Sequence, residues 1–247
     1  MKINYLSLFY LTVCCLFFST QCIAQSSPPK KRDNIDIKLW GGAELDLKLN
    51  KSWSISLMTQ ARMKSMGTEF DRFLLEFETA YNPRFHSFVK PMKLKVGVRY
   101  FGTVDEDDGY ENNLRLHADL SYKLKLKRFH VAYRFRYQAK NELKQKESIY
   151  KNYWTQDFRN LIRIGYNFKK WKLDPEIWVE LFFHDELGAL DGFTKYRVGF
   201  KTSYDFDKNN AITLKYFLEM ETKYYNPKQT HVIALSYQHK FKLKKGK

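Results

Sequence analysis

The sequence predicts an all-β protein: a closed antiparallel transmembrane β-barrel of roughly 10–12 strands, wound as an up-and-down meander. Three observations predict it. Apolar and polar residues alternate with period two over almost the whole chain after residue 34. The alternating segments run to about 11–15 residues, against about 5–6 for a mean strand and about 9–11 for a tilted strand crossing a bilayer. Short and long connections take turns between them, as in an outer-membrane barrel.

Residues 1–24 read as a secretory signal peptide. Lys2 supplies the positive n-region, Ile3 to Phe18 the apolar h-region, and Cys22-Ile23-Ala24 puts small residues at the −3 and −1 positions of a cleavage site before Gln25. The alternatives are a membrane anchor, for which the apolar run is short, and lipid attachment at Cys22, for which Ser19-Thr20-Gln21 is a poor lead-in. Cleavage removes Cys14, Cys15 and Cys22, all three cysteines of the chain. Thiolate zinc sites, thiol catalysis and redox switching are thereby excluded. Residues 25–33 (QSSPPKKRD) form a flexible polar linker, and residues 34–247 a single outer-membrane barrel domain.

The strand segments fall at 35–49, 52–63, 70–81, 92–102, 112–123, 128–139, 156–168, 172–184, 194–206, 210–222 and 230–243. In one of them Phe129, Val131, Tyr133, Phe135 and Tyr137 alternate with His130, Ala132, Arg134, Arg136 and Gln138. A strand sends successive side chains to opposite faces, so each segment has one apolar and one charged face. Single-chain bacterial barrels usually have an even number of strands. Splitting the first segment at Gly41-Gly42 gives twelve, the preferred number; discounting it as a full span gives ten. Alternation alone does not say which face points inward. A soluble, lipocalin-type barrel would put the apolar face inside. Strand length favours the membrane reading, as do two bands of aromatic residues. Trp53, Tyr81, Tyr122, Phe129, Phe168, Trp171 and Phe206 lie near the short turns. Phe101, Tyr110, Tyr150, Tyr153, Trp154, Tyr224 and Tyr225 lie near the long loops.

Composition agrees with this reading. The chain has 17% aromatic residues and 44% hydrophobic residues, which excludes a disordered chain. A mean hydropathy of -0.56 excludes a helical membrane bundle. It carries 43 Lys and Arg against 27 Asp and Glu, a net charge of +16.

Several stretches resemble a Gram-negative outer-membrane β-barrel family of unknown function, domain of unknown function 2490. They are Leu39-Trp40-Gly41-Gly42-Ala43-Glu44-Leu45 with the following strand to Ala61-Arg62, Val96-Gly97-Val98-Arg99-Tyr100, Tyr133-Arg134-Phe135-Arg136-Tyr137, and Asp174-Pro175-Glu176 with Glu180-Leu181-Phe182. The resemblance covers nearly all of the chain after the signal. It implies an outer-membrane barrel and no established activity.

On the polar face, Arg62, Arg72, Glu76, Glu78, Arg99, Arg115, Arg134, Arg136, Arg159, Arg163, Glu176, Glu180, Arg197 and Glu219 are expected to form a lumen charge network, paired across neighbouring strands. Such a network either plugs the barrel or lines a narrow pore; rings of Arg and Lys favour anions. A competing reading is a lipid-modifying enzyme around His117, Asp119 and Ser121, which share one strand face and have the types of a nucleophile–base–orienter set. Residues two apart on a strand are about 6.6–7 Å apart, however, which is long for direct contact. No Gly-x-Ser-x-Gly elbow is present. Asp105, Asp107 and Asp108, in an acidic loop with Gly109, are metal candidates without the full calcium-loop spacing.

The function expected is therefore an outer-membrane barrel of unknown specific activity, as a narrow charge-lined pore or a structural barrel. The alternatives are the lipid-modifying enzyme and a soluble periplasmic ligand-binding barrel. Catalysis is the less favoured reading. No cofactor is expected. The location expected is the outer membrane of a Gram-negative bacterium, reached by a cleaved signal peptide. The partners expected are outer-membrane lipids, lipopolysaccharide and the barrel-assembly machinery, with no nucleic acid. Basic residues near the short turns, among them Lys123, Lys125, Lys127 and Arg128, suit anionic headgroups.

Overall fold

The computed structural model describes residues 35–104, 109–143, 154–169, 172–185, 192–222 and 227–242. The expected signal and linker lie outside the described residues, as do Asp105, Asp107 and Asp108. The strands are β1 (Ile35–Lys48), β2 (Trp53–Lys64), β3 (Glu69–Tyr81), β4 (Met92–Val104), β5 (Tyr110–Leu126), β6 (Phe129–Leu143), β7 (Thr155–Tyr166), β8 (Glu176–Asp185), β9 (Gly192–Asp205), β10 (Asn210–Glu221) and β11 (Gln229–Lys242).

Each expected segment forms one strand. The largest trimming is at β8, where the expected start at 172 moves to Glu176. Pro175 has no N–H to give to a ladder, and its carbonyl instead accepts from the Tyr166 amide at 3.2 Å. β6 outruns expectation because its ladder with β5 continues to Leu143 opposite Asn112, and β5 because it pairs on to Leu126 opposite Phe129 and back to Tyr110 opposite Val104.

Strands adjacent in sequence are adjacent in the sheet, and the sheet closes on itself as β1 pairs with β11. The barrel has eleven strands, which corrects the preference for twelve. Gly41 and Gly42 do not split β1. Gly41 opposes Ala61 on β2 and Leu235 on β11, and Gly42 opposes Gln60 and Ser236. Neither has a positive φ. A Cβ on Gly42 would lie 2.8 Å from the Thr59 carbonyl oxygen, so this glycine serves close approach and not a turn. An odd meander leaves its first and last strands pointing the same way. The closing seam is therefore parallel, in register from Ile35 opposite Gln229 to Lys48 opposite Lys242. The other ten seams are antiparallel.

The question of faces is resolved with the charged side inward. On β3, Leu74, Glu76, Glu78 and Ala80 are buried while Phe73, Leu75 and Phe77 are exposed. The same parity holds on β8, where Trp178, Glu180 and Phe182 are buried and Ile177, Val179 and Leu181 exposed. The apolar part of the interior is small. Leu161, Trp178, Phe217 and Val232 form one cluster, with Trp40 packed against it. Gly199 stands between Trp178 and Phe217 in the register, and the two rings meet at 5.3 Å across it.

Two aromatic pairs on the outer face stand at the short-turn end, Trp53 with Tyr81 and Phe129 with Tyr166, each at 4.7 Å, while Phe135 with Phe158 and Phe200 with Tyr216 lie further along the strands. Phe101, expected in the outer band at the other end, faces the lumen instead. It shares strand parity with Arg99 and is 2% exposed.

Candidate functional site

The lumen is where the sequence places its unusual chemistry. Pairing transfers parity from strand to strand, because directly opposed residues share a face. Starting from Trp40, Arg62 and Arg72 follow inward on β2 and β3, and Glu76 leads to Arg99, Arg115 and Lys140 on β4, β5 and β6. All fourteen residues of the expected charge network lie on this inner face.

The carboxylates are heavily shared. Glu76 is bonded to Arg99. Glu78 is bonded to Lys95 and accepts from His117 Nε2 at 2.9 Å, with Arg136 Nη2 at 3.5 Å. Arg136 grips Asp119 with two donors, Nε at 2.5 Å and Nη2 at 2.7 Å. Glu180, 3% exposed, receives Arg134 Nη2 at 2.5 Å and Arg159 Nη2 at 2.8 Å, with Arg197 Nη1 at 3.6 Å. Arg197 also donates to Glu219 at 2.5 Å. Glu176 takes His130 at 3.0 Å and Lys201 at 3.2 Å. Charge-assisted bonds of this kind hold geometry, and removing one buried partner costs far more than the pair contributes net.

The balance of charge is uneven. A cavity of about 530 Å³ in the lumen is lined by thirteen Lys and Arg side chains against five Asp and Glu. Besides Lys48 opposite Lys242 at the end of the closing seam, five register pairs on the inner face set cation against cation: Arg62 and Arg72, Arg99 and Arg115, Arg115 and Lys140, Arg136 and Arg159, Lys201 and Lys215. No described register pair sets carboxylate against carboxylate. Like charges directly opposite each other are destabilising.

Aromatic rings take up part of the excess. The Arg62 guanidinium lies 3.6 Å from the Trp40 ring centre, and Arg159, Arg197 and Lys195 surround Phe182 at 4.4, 4.7 and 5.0 Å. The expected network omitted several inner-face charges: Lys95, Asp157, Lys195, Lys201 and Lys215. Strand parity would have found them, because each stands an even number of positions from a named residue. Asp71 could not be found that way. It is the extra residue of a β-bulge, with Arg72 opposite Arg62 and Phe70 opposite Met63, and it meets Lys38 at 3.1 Å.

The candidate catalytic set does not assemble. His117 is spent on Glu78 and Asp119 on Arg136, and no hydrogen bond joins His117, Asp119 and Ser121. Glu76, Glu78 and His117 do bring ligand atoms within 4.8 Å of one another. Arg99, Lys95 and Arg136 already face those carboxylates, so a cation there would meet three positive charges.

The fold and the lumen define a closed eleven-stranded β-barrel with a cation-rich interior. The family of proteins of unknown function DUF2490 matches residues 37–229, and the chain belongs to that family. None of the curated proteins matches the chain.

Proposed function

We propose that this protein is an outer-membrane barrel whose cation-lined lumen selects small anions. The observation that carries this reading is the pairing of an apolar outer face with an inner face on which cations oppose cations. An apolar exterior suits lipid, and a polar interior suits water and ions. Strands of 10 to 17 residues are long enough for a tilted bilayer crossing. The outer aromatic pairs at the short-turn end supply one interfacial girdle. Excess Arg and Lys in a confined, low-dielectric lumen raise the local concentration of anions.

On this reading the outer belt contacts outer-membrane lipid and lipopolysaccharide, and the barrel-assembly machinery inserts the chain after export. The test has two stages. Fractionation with heat-modifiable gel migration should place the folded protein in the outer membrane. Purified protein in a planar bilayer under a salt gradient should then give a reversal potential of anion selectivity. A protein recovered in the soluble fraction, or a cation-selective current, would overturn the proposal.

A further inference from the structure

We propose that the lumen contains a binding site for a soluble phosphate-type dianion, built around Phe101. The proposal deepens the anion reading above and rests on it. Phe101 is buried on the inner face of β4. Three cations surround its ring: the Arg115 guanidinium at 5.0 Å from the centroid, the Lys140 ammonium at 5.7 Å and the Arg72 guanidinium at 5.8 Å. The ring's quadrupole attracts cations but carries no net charge, so it cannot neutralise three.

Protein carboxylates act on Arg115 and Lys140 only at a distance, Asp157 on the first and Glu111 and Glu142 on the second. Among the described residues none lies within ion-pair distance of Arg115 or Lys140, and Arg115 Nε is buried without a partner. Arg115 stands in the register between Arg99 and Lys140, a cation flanked by cations. Arg72 has Asp71 at 3.5 Å, and that carboxylate is already closer to Lys38, at 3.1 Å.

The barrel contains the same cradle in a neutralised form. Phe182 is likewise surrounded by three cations, Arg159, Arg197 and Lys195. There Glu180 holds Arg159 and Arg197, and Glu219 holds Arg197 and Lys195. Two protein carboxylates thus pair directly with three cations at Phe182, and among the described residues none pairs directly with Arg115 or Lys140 at Phe101. The missing counter-charge defines the ligand: an anion of charge two or more, with oxygens placed for guanidinium forks. Phosphate and phosphate monoesters have both properties. Arg72, Arg115 and Phe101 line the lumen cavity, so the ligand arrives from water and not from the lipid side.

The test is calorimetric titration of full-length folded protein in detergent with inorganic phosphate, in a chloride background of matched ionic strength at pH 7.5. Saturable binding is expected, weakened at least tenfold in Arg115→Gln and in Lys140→Gln and unchanged in Lys208→Gln, which removes a turn cation outside the lumen. Because Arg115→Gln breaks no ion pair, it should fold. It should also unfold at a temperature equal to or above that of the parent in phosphate-free buffer, and lose the stabilisation that phosphate gives the parent. Absence of saturable binding, equal weakening in Lys208→Gln, or a destabilised Arg115→Gln would overturn the site. Phosphate binding without current in a bilayer would leave the site standing and remove conduction. Anion-selective current without saturable phosphate binding would do the reverse.

Discussion

Glu78 and His117 lie two strands apart, on β3 and β5, yet Glu78 Oε1 accepts from His117 Nε2 at 2.9 Å because Gly97 of β4 stands between them in the register. A Cβ on Gly97 would lie 2.6 Å from His117 Cε1 and 2.9 Å from Glu78 Cγ. The same device lets another histidine and glutamate meet. His130 on β6 and Glu176 on β8 meet at 3.0 Å over Gly165 of β7, whose Cβ would lie 2.2 Å from His130 Cε1. These glycines remove a side chain so that two others can pass.

Gly97→Ala and Gly165→Ala should each destabilise the barrel by about 1–3 kcal/mol, the usual cost of overpacking. Gly41→Ala places its new Cβ where nothing lies within 4 Å, and should stay within about 0.5 kcal/mol of the parent. Urea unfolding followed by gel mobility separates the two groups. Equal effects at Gly41 and Gly97 would remove the steric explanation.

Glu180→Gln should be the most damaging single change in the lumen. It leaves Arg134, Arg159 and Arg197 without their shared counter-charge, at a cost of about 3–5 kcal/mol. If the barrel still inserts, its reversal potential should move further toward anions. A variant as stable as the parent would show that solvent or ions, and not Glu180, neutralise those arginines.

The Asp119–Arg136 contact is two-pronged and buried. A double-mutant cycle with Asp119→Asn and Arg136→Gln should give a coupling energy of about 1–3 kcal/mol. Additive losses would mean that Arg136 draws its stabilisation mainly from Glu78.

Val179 is an exposed outer-face residue in the middle of β8. Val179→Arg should raise the free energy of folding into lipid vesicles by about 2–4 kcal/mol, the midplane cost on a lipid-facing strand. Folding that is indifferent to this charge would argue that the outer face meets water.

The β9–β10 turn should respond to acid. Asp207 accepts from the Asn210 side-chain amide at 2.7 Å and from the Asn209 and Asn210 backbone amides at 2.6 and 2.8 Å. These bonds hold its carboxyl below the ordinary carboxylate range of about 3.9. A depressed value means the turn's stabilisation is complete above the unfolded value and is lost as pH falls through the folded one. The protection factors of the Asn209 and Asn210 amides, corrected for the intrinsic pH dependence of exchange, should therefore be constant from neutral pH to about 4 and fall below it, whereas in Asp207→Ala they should not change with pH. Protection lost already between pH 5 and 7 would contradict this.

Strand identity is legible in the sequence because period two is a local property. Phe129 to Tyr137 alternates whatever lies beside it, and each of the eleven expected segments is a strand. The expected network is legible for the same reason: Arg134 and Arg136 share a face by parity alone. Strand number is not legible at Gly41-Gly42, since a glycine pair reads equally as a turn or as a point of close approach. Only the neighbours Gln60 and Ser236 distinguish the two. Position near a strand end points Phe101 to the outer band, although its parity with Arg99 already places it inside.

The amino-acid sequence by itself determined where the chain is extended, which residues share a face, and that the chain carries far more Lys and Arg than Asp and Glu. The tertiary structure alone decided that the charged face turns inward, that β1 and β11 close in parallel, and that Glu180 is shared by three arginines while Arg115 has no carboxylate partner among the described residues. The division follows from distance along the chain. Alternation arises between consecutive residues, whereas curvature, closure and ion pairing arise between strands whose relative register only the finished barrel sets.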